Sequence, residues 1–186
     1  MKSSFSLRLL AATFVSCLGL ATLRAADHSH AHGKAPDAPK SAIAVLVAGP
    51  DGKVSGTIRF TQQDDGVKVE ADVKGLTPGK HGFHVHEHGD LSKPDFTSAG
   101  GHFNPKGHPH ADRSADQRHV GDLGNLEADA QGNAKTSFVD QQLQLTGPDS
   151  IIGRAVIVHA KADDLKSQPT GDAGGRVAGG VIGVGK

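Results

Sequence analysis

The sequence predicts an all-β fold, a sandwich or barrel of eight short strands. Apolar residues alternate with polar ones in short runs, glycine and proline punctuate those runs, and apolar positions at helical spacing are few. The 186 residues suffice for one domain with a real core, and the 25 glycines and 9 prolines supply its turns.

The strands follow in order. Ala42–Val47 is an apolar run closed by the turn Gly49-Pro50-Asp51-Gly52. Val54, Gly56, Ile58 and Phe60 alternate with polar residues. After a turn over Gln62–Gly66, Val67, Val69, Ala71 and Val73 do the same. Leu76-Thr77-Pro78-Gly79 leads into a fourth strand around His84. From Gly89 to Arg118 no period is sustained, while Gly, Pro, His and Asp are dense. A loop this long in a compact domain is usually functional or disordered. Strands resume over His119–Ala128, Ala134–Val139, Gly153–Ala160 and Val177–Val184. Between them lie Gln131-Gly132-Asn133, Gly147-Pro148-Asp149 and the loop Lys161–Gly175.

The N-terminus reads as an address. Lys2 and Arg8 lead into the apolar run Leu9–Leu20, which ends near Ala21, Ala25 and Ala26. That pattern over residues 1–26 is a secretory signal peptide of bacterial export type, too short and wrongly flanked for a membrane span. Cys17 raises a lipoprotein reading, but the residues after it are apolar rather than a polar tether. Residues 27–40 form a His-rich flexible tail with too little apolar content to fold. Cleavage after Ala25 would leave Ala26-Asp27-His28, whose amine, two amides and third-position imidazole suit Cu(II). The folded domain is expected over residues 41–186, in an exported protein, periplasmic or extracellular.

Charge excludes one class of partner. The chain carries 20 basic and 20 acidic residues. Loss of Lys2, Arg8 and Arg24 with the signal leaves 17 basic against 20 acidic, a formal charge of −3, which is no footprint for nucleic acid. Cys17 is the only cysteine, so the mature protein has no disulfide although it enters an oxidising compartment.

The stretch Gly82-Phe83-His84-Val85-His86-Glu87-His88-Gly89-Asp90 organises the rest. Strand alternation puts His84 and His86 on one face and Phe83 and Val85 on the other. Two imidazoles at that spacing reach one ion, and imidazole suits copper, zinc, iron and nickel. A lone His-x-His is as readily an exposed polar face. Nine of the 12 histidines, however, lie between His81 and His159. The long loop holds His102, His108 and His110, followed by His119-Val120-Gly121-Asp122, which opens a strand. His108 reads as a satisfied surface histidine. Several imidazoles and a carboxylate on a loop without a core read as a structural metal site, which would supply the folding energy the loop lacks. His159 ends Val156-Ile157-Val158 and could return to the His84/His86 face.

These motifs resemble the copper–zinc superoxide dismutases, in a bacterial-type form. The matching stretches are Gly82–Asp90, Thr97–Pro105, Arg118–Asn125, Ile151–Leu165 and Thr170–Gly183. The resemblance implies an eight-stranded Greek-key β-barrel with long metal-binding and active-site loops. It implies one copper per subunit, held by His84, His86, His102 and His159, and one zinc, held by His102, His110, His119 and Asp122. His102 would bridge the two. Asp163 would link His84 to His110, Arg176 would bind the superoxide anion, and Thr170 would lie on the rim of the funnel. The implied reaction is dismutation of superoxide to oxygen and hydrogen peroxide by a redox-cycling copper beside a structural zinc, with His102 shuttling a proton. A possible homodimer comes with the family.

Three departures stand out. The family's usual disulfide is missing, its two cysteine positions being Phe96 and Gly179, so packing is expected to replace the bond. Lys166-Ser167-Gln168-Pro169 is a short loop without the charges of longer versions, so steering of the anion is expected to rest on Arg176 and copper. His88 stands where some dimeric members are apolar. A dismutase-like copper-binding or copper-buffering protein is the rival, in which the lost disulfide and His-rich tail are the point. Arg176 and Thr170 favour the enzyme. A plain β-sandwich with incidental histidines would need the full ligand set by accident.

Overall fold

The computed structural model describes residues 37–50 and 52–186. The expected signal peptide, residues 1–26, and residues 27–36 of the expected tail lie outside the described residues. The eight strands are β1 (Ser41–Ala48), β2 (Ser55–Gln63), β3 (Gly66–Lys74), β4 (Gly79–His86), β5 (Asp122–Ala128), β6 (Ala134–Asp140), β7 (Ala155–His159) and β8 (Arg176–Val184). Every pairing is antiparallel. The order across the sheet is β5-β4-β7-β8-β1-β2-β3-β6. The end strands β5 and β6 approach each other, so the sheet curls into a nearly closed barrel. Strands distant in sequence pair, β3 with β6, β4 with β7 and β1 with β8, which requires Greek-key connections.

Alternation sets the core. Ala42, Ala44 and Leu46 of β1, Ile58 and Phe60 of β2, and Val67, Val69, Ala71 and Val73 of β3 point inward and are buried. Arg59, Lys68, Glu70 and Asp72 alternate with them on the outer face. Strands β4 and β7 break this rule, being buried on both faces from His81 to His86 and from Ala155 to His159. The reason is the long loop after β4. Its Leu91, Phe96 and Ala99 pack on the outward side chains Ala155 and Ile157 of β7, a second apolar cluster outside the barrel. The sheet face carrying His84 and His86 is therefore sealed from water.

The sequence pattern predicts a fifth strand from His119. The strand starts at Asp122, because His119-Val120-Gly121 forms a turn. Buried Arg118 organises that turn: its guanidinium donates to the carbonyls of His119, Val120 and Asp122 and pairs with Asp140 Oδ2 at 2.7 Å. Gly121 is needed there, since a Cβ would stand 2.1 Å from Val85 O. That close approach lets Val85 N–H donate to Gly121 O and Phe103 N–H to Val85 O, strapping both loop segments to the end of β4.

Candidate metal centre

Register brings the histidines together. In the β4–β5 ladder His84 stands opposite Asp122, and in the β4–β7 ladder opposite Ile157, two residues from His159. His86 forms a bridge with His102. Each strap on the loop thus delivers one imidazole to the buried face of β4. Two groups of possible metal ligands result: His84, His86, His102 and His159, and His102, His110, His119 and Asp122. Within each group the ligand atoms lie within 4.8 Å of one another, and all seven residues are buried.

Hydrogen bonds on the far side of each ring fix which nitrogen faces the group. His84 Nε2–H donates to Asp163 Oδ2 at 2.7 Å, which leaves Nδ1 as a lone pair. His86 Nδ1–H donates to Gly100 O at 3.0 Å, and His159 Nδ1–H to Gly174 O at 3.2 Å, which leaves both Nε2 atoms. With both Nδ1 atoms carrying the ring protons, those two Nε2 atoms face each other at 3.3 Å as lone pairs. Buried His84 Nδ1 and His102 Nε2 have no hydrogen-bond partner among the described residues. Buried, unsatisfied lone pairs that converge are costly unless a cation satisfies them. Four ligands at about 2.1 Å from one ion stand about 3.4 Å apart at tetrahedral angles, so the spacing fits a metal.

The second group centres on Asp122. Its Oδ1 lies 2.8 Å from His102 Nδ1, 3.0 Å from His110 Nδ1 and 3.2 Å from His119 Nδ1. Its Oδ2 accepts from the amides of Ala111 and His119, so the carboxylate cannot rotate. His119 Nδ1 is 3.5 Å from His102 Nδ1, again the edge of a coordination polyhedron. Three nitrogens and one oxygen in a closed, buried site are the donor set of structural zinc. His102 alone belongs to both groups, through opposite nitrogens of one ring.

Asp163 joins the groups from outside. Its Oδ2 accepts a hydrogen bond from His84 Nε2–H, while Oδ1 lies 2.9 Å from His110 Nε2. Gly171 must lack a side chain, because a Cβ would stand 1.8 Å from Asp163 Oδ1. Burial pushes His84 down to about 3 and His159 down to about 4, and holds His86 and His102 below the usual imidazole value. These rings are neutral at neutral pH. For His110, burial works downward, but hydrogen bonds to Asp122 and Asp163 prevail and raise it to about 9 in the metal-free protein. Burial would raise Asp122 and Asp163, yet their imidazole partners hold both below the usual carboxylate range.

Arg176 starts β8 half-buried. It donates through Nη1 to Phe96 O and through Nη2 to Gly100 O at 2.6 Å. Gly100 O also accepts from His86, so the guanidinium and a first-group imidazole share one carbonyl. Thr170 is half-buried beside Gly171. His108 is in neither group; it is half-buried, and its backbone is clasped by the Asn104 amide.

Sequence reasoning passed over Arg118, Gly121 and Gly171, whose roles depend on close contacts across the fold. It passed over His81 as well, which is buried with Nδ1 at 2.7 Å from His159 O and Nε2 at 2.8 Å from Thr77 O. Its place two residues before Phe83 gave the signal, an imidazole on the core face of β4.

Residues 54–182 match the family model for copper/zinc superoxide dismutase (SODC). The chain belongs to the copper/zinc superoxide dismutase family. It is similar to a Cu-Zn superoxide dismutase of Onchocerca volvulus, 51% identical over 156 residues, covering 78% of this chain and 96% of that one. It is 46% identical over 155 residues to an extracellular Cu-Zn superoxide dismutase of Brugia pahangi, covering 78% and 77%. Among solved structures, a crystal structure of the clock protein EA4 aligns with a TM-score of 0.74 at 48% identity, over 82% of this chain and 98% of that one. The protein is thus an oxidoreductase, a dismutase of superoxide that uses copper and zinc. It is a dismutase without the family's disulfide, since Cys17 is its only cysteine.

Proposed function

We propose that this dismutase holds copper on His84 Nδ1, His86 Nε2, His102 Nε2 and His159 Nε2, and zinc on His102, His110, His119 and Asp122. One observation carries the assignment: His102 presents Nε2 to one group of buried lone pairs and Nδ1 to the other. The bound copper supplies one-electron redox chemistry, and the zinc, which has none, a fixed charge. Two superoxide anions and two protons give one oxygen and one hydrogen peroxide. Arg176 receives the anion, its guanidinium held by Phe96 O and Gly100 O so that it is oriented before substrate arrives. His102 takes up and returns a proton at Nε2, the ring nitrogen that has no hydrogen-bond partner among the described residues. Asp163 keeps the His84 and His110 rings in place. Thr170 narrows the approach. A copper store without turnover has no use for a guanidinium so held. Elemental analysis with a dismutation assay tests this: about one copper and one zinc per chain with turnover supports it, and a copper-loaded protein without turnover contradicts it.

We infer the domain plan and location from the same reading: a signal over residues 1–26, a tail over 27–40 and the catalytic domain over 41–186. Export to the periplasm or outside the cell is supported by the apolar run Leu9–Leu20 and by the extracellular relative. Among the described residues no helix is long and apolar enough to cross a membrane. A homodimer is supported by Val45 and Val47 of β1, 61% and 51% exposed, beside exposed Val181 of the neighbouring strand β8. Sedimentation decides it: Val47→Glu should convert a dimer to monomer, and a monomeric parent would contradict it.

A further inference from the structure

The short loop 164–171 grips the backbone of His110. The Gln168 side chain accepts from His110 N–H through Oε1 and donates through Nε2 to His110 C=O, each at 2.8 Å. A side-chain amide here does what a neighbouring strand does, satisfying both backbone groups of one residue. The other Nε2 proton goes to Lys166 O at 3.1 Å, so the amide is oriented from two sides.

The loop is braced to hold that position. Asp164 Oδ1 accepts the amides of Lys166 and Ser167, at 3.0 and 2.8 Å, and Oδ2 takes the Ser167 hydroxyl. Gly171 N–H donates to Ser167 O, and Asp164 N–H to Gly171 O, closing the loop on itself. Its returning limb presses on the ion pair beneath: a Cβ on Gly171 would stand 2.7 Å from His110 Nε2. His110 itself comes from a segment without regular structure. Its ring is fixed by Asp122 and Asp163, and its backbone by Gln168.

We infer that Gln168 is a positioning residue for zinc, a clamp through which the shortened loop holds His110 in the second ligand group. This rests on the assignment of His110 to zinc. Gln168 touches no ligand atom. It acts by limiting how far the His110 backbone swings when the Nδ1 bond to the ion opens, and so slows zinc loss. Residues behind metal ligands commonly change metal affinity by about tenfold to a hundredfold.

The experiment uses the fully metal-loaded protein and follows zinc release into a chromophoric chelator, with copper content measured alongside. Gln168→Ala should release zinc about tenfold faster than the parent. Gln168→Glu keeps an acceptor for His110 N–H and loses the donor to His110 C=O, so it should fall between. With cobalt in place of zinc, the visible ligand-field bands of Gln168→Ala should shift or broaden. Ser167→Ala, which removes one brace of the same loop but keeps the Gln168 amide, should speed zinc release less than Gln168→Ala. Parent-like release and an unchanged cobalt spectrum in Gln168→Ala, with Asp122→Ala unable to hold zinc, would overturn the clamp alone. Asp122→Ala holding zinc like the parent would overturn the zinc assignment and the clamp with it.

Discussion

The ring of Phe96 comes within 3.5 Å of where a Cβ on Gly179 would stand. The resemblance to the family would put its two disulfide cysteines at these positions. Phe96 is 4% exposed and shares its cluster with Leu91, Ala99, Ala155 and Ile157. It also holds a left-handed backbone, φ 58°, which an aromatic residue adopts only where its surroundings impose it. The ring's burial offsets that cost and ties the long loop to β8, as a covalent bond would.

Phe96→Ala keeps the left-handed backbone and removes the ring. It should lower unfolding stability by about 3 kcal/mol, in the range for Phe→Ala in a packed core. It should also lower kcat/KM at full metal loading, because Arg176 donates to Phe96 O. Thermal unfolding and initial rates check both. Thiol reductants should change neither in the parent, since no second cysteine exists. A variant as stable and active as the parent would mean that the metals alone hold the loop.

Much of this was legible in the sequence. The alternation in β2 and β3 marks core faces directly, and His84-Val85-His86 marks a shared face. The folding of the Gly89–Arg118 loop onto β7 was not, because Leu91, Phe96 and Ala99 carry no period. The loss of the His119 strand start follows from Arg118, whose reach to Asp140 no local pattern encodes. Gly171 looks like any turn glycine until Asp163 is placed against it.

Arg176 offers a separate test. Arg176→Ala removes the cation and should cut kcat/KM about tenfold or more, with copper content unchanged. Arg176→Lys keeps the charge but not the two-pronged hold on Phe96 O and Gly100 O, so it should fall between. Steady-state rates at matched copper loading measure it. Unchanged kcat/KM in Arg176→Ala would remove Arg176 from anion binding.

The metal-free protein should show a distinctive pH profile. His84 and His159 are depressed from 6.5 to about 3 and about 4, so the stability they confer is present above 6.5 and lost as pH falls from 6.5 toward 4. His110 is raised to about 9, so its contribution is present below 6.5 and lost as pH rises through 9. His86 and His102 are also depressed, which makes the acid limb the steeper one. Tm of chelator-treated protein should therefore peak near neutrality. Metal should raise Tm throughout and flatten the alkaline limb, where His110 is then a neutral ligand. A metal-free Tm constant from pH 4 to 6.5 would contradict the buried, neutral imidazoles.

The most direct measurement of the two-site assignment is element-resolved metal analysis of His84→Ala and Asp122→Ala, each loaded with both metals. His84 belongs to one group only and Asp122 to the other. His84→Ala should lose copper and dismutation while keeping most of its zinc. Asp122→Ala should lose zinc first, since three imidazoles converge on its Oδ1. Both variants retaining both metals at the parent's content would contradict the assignment.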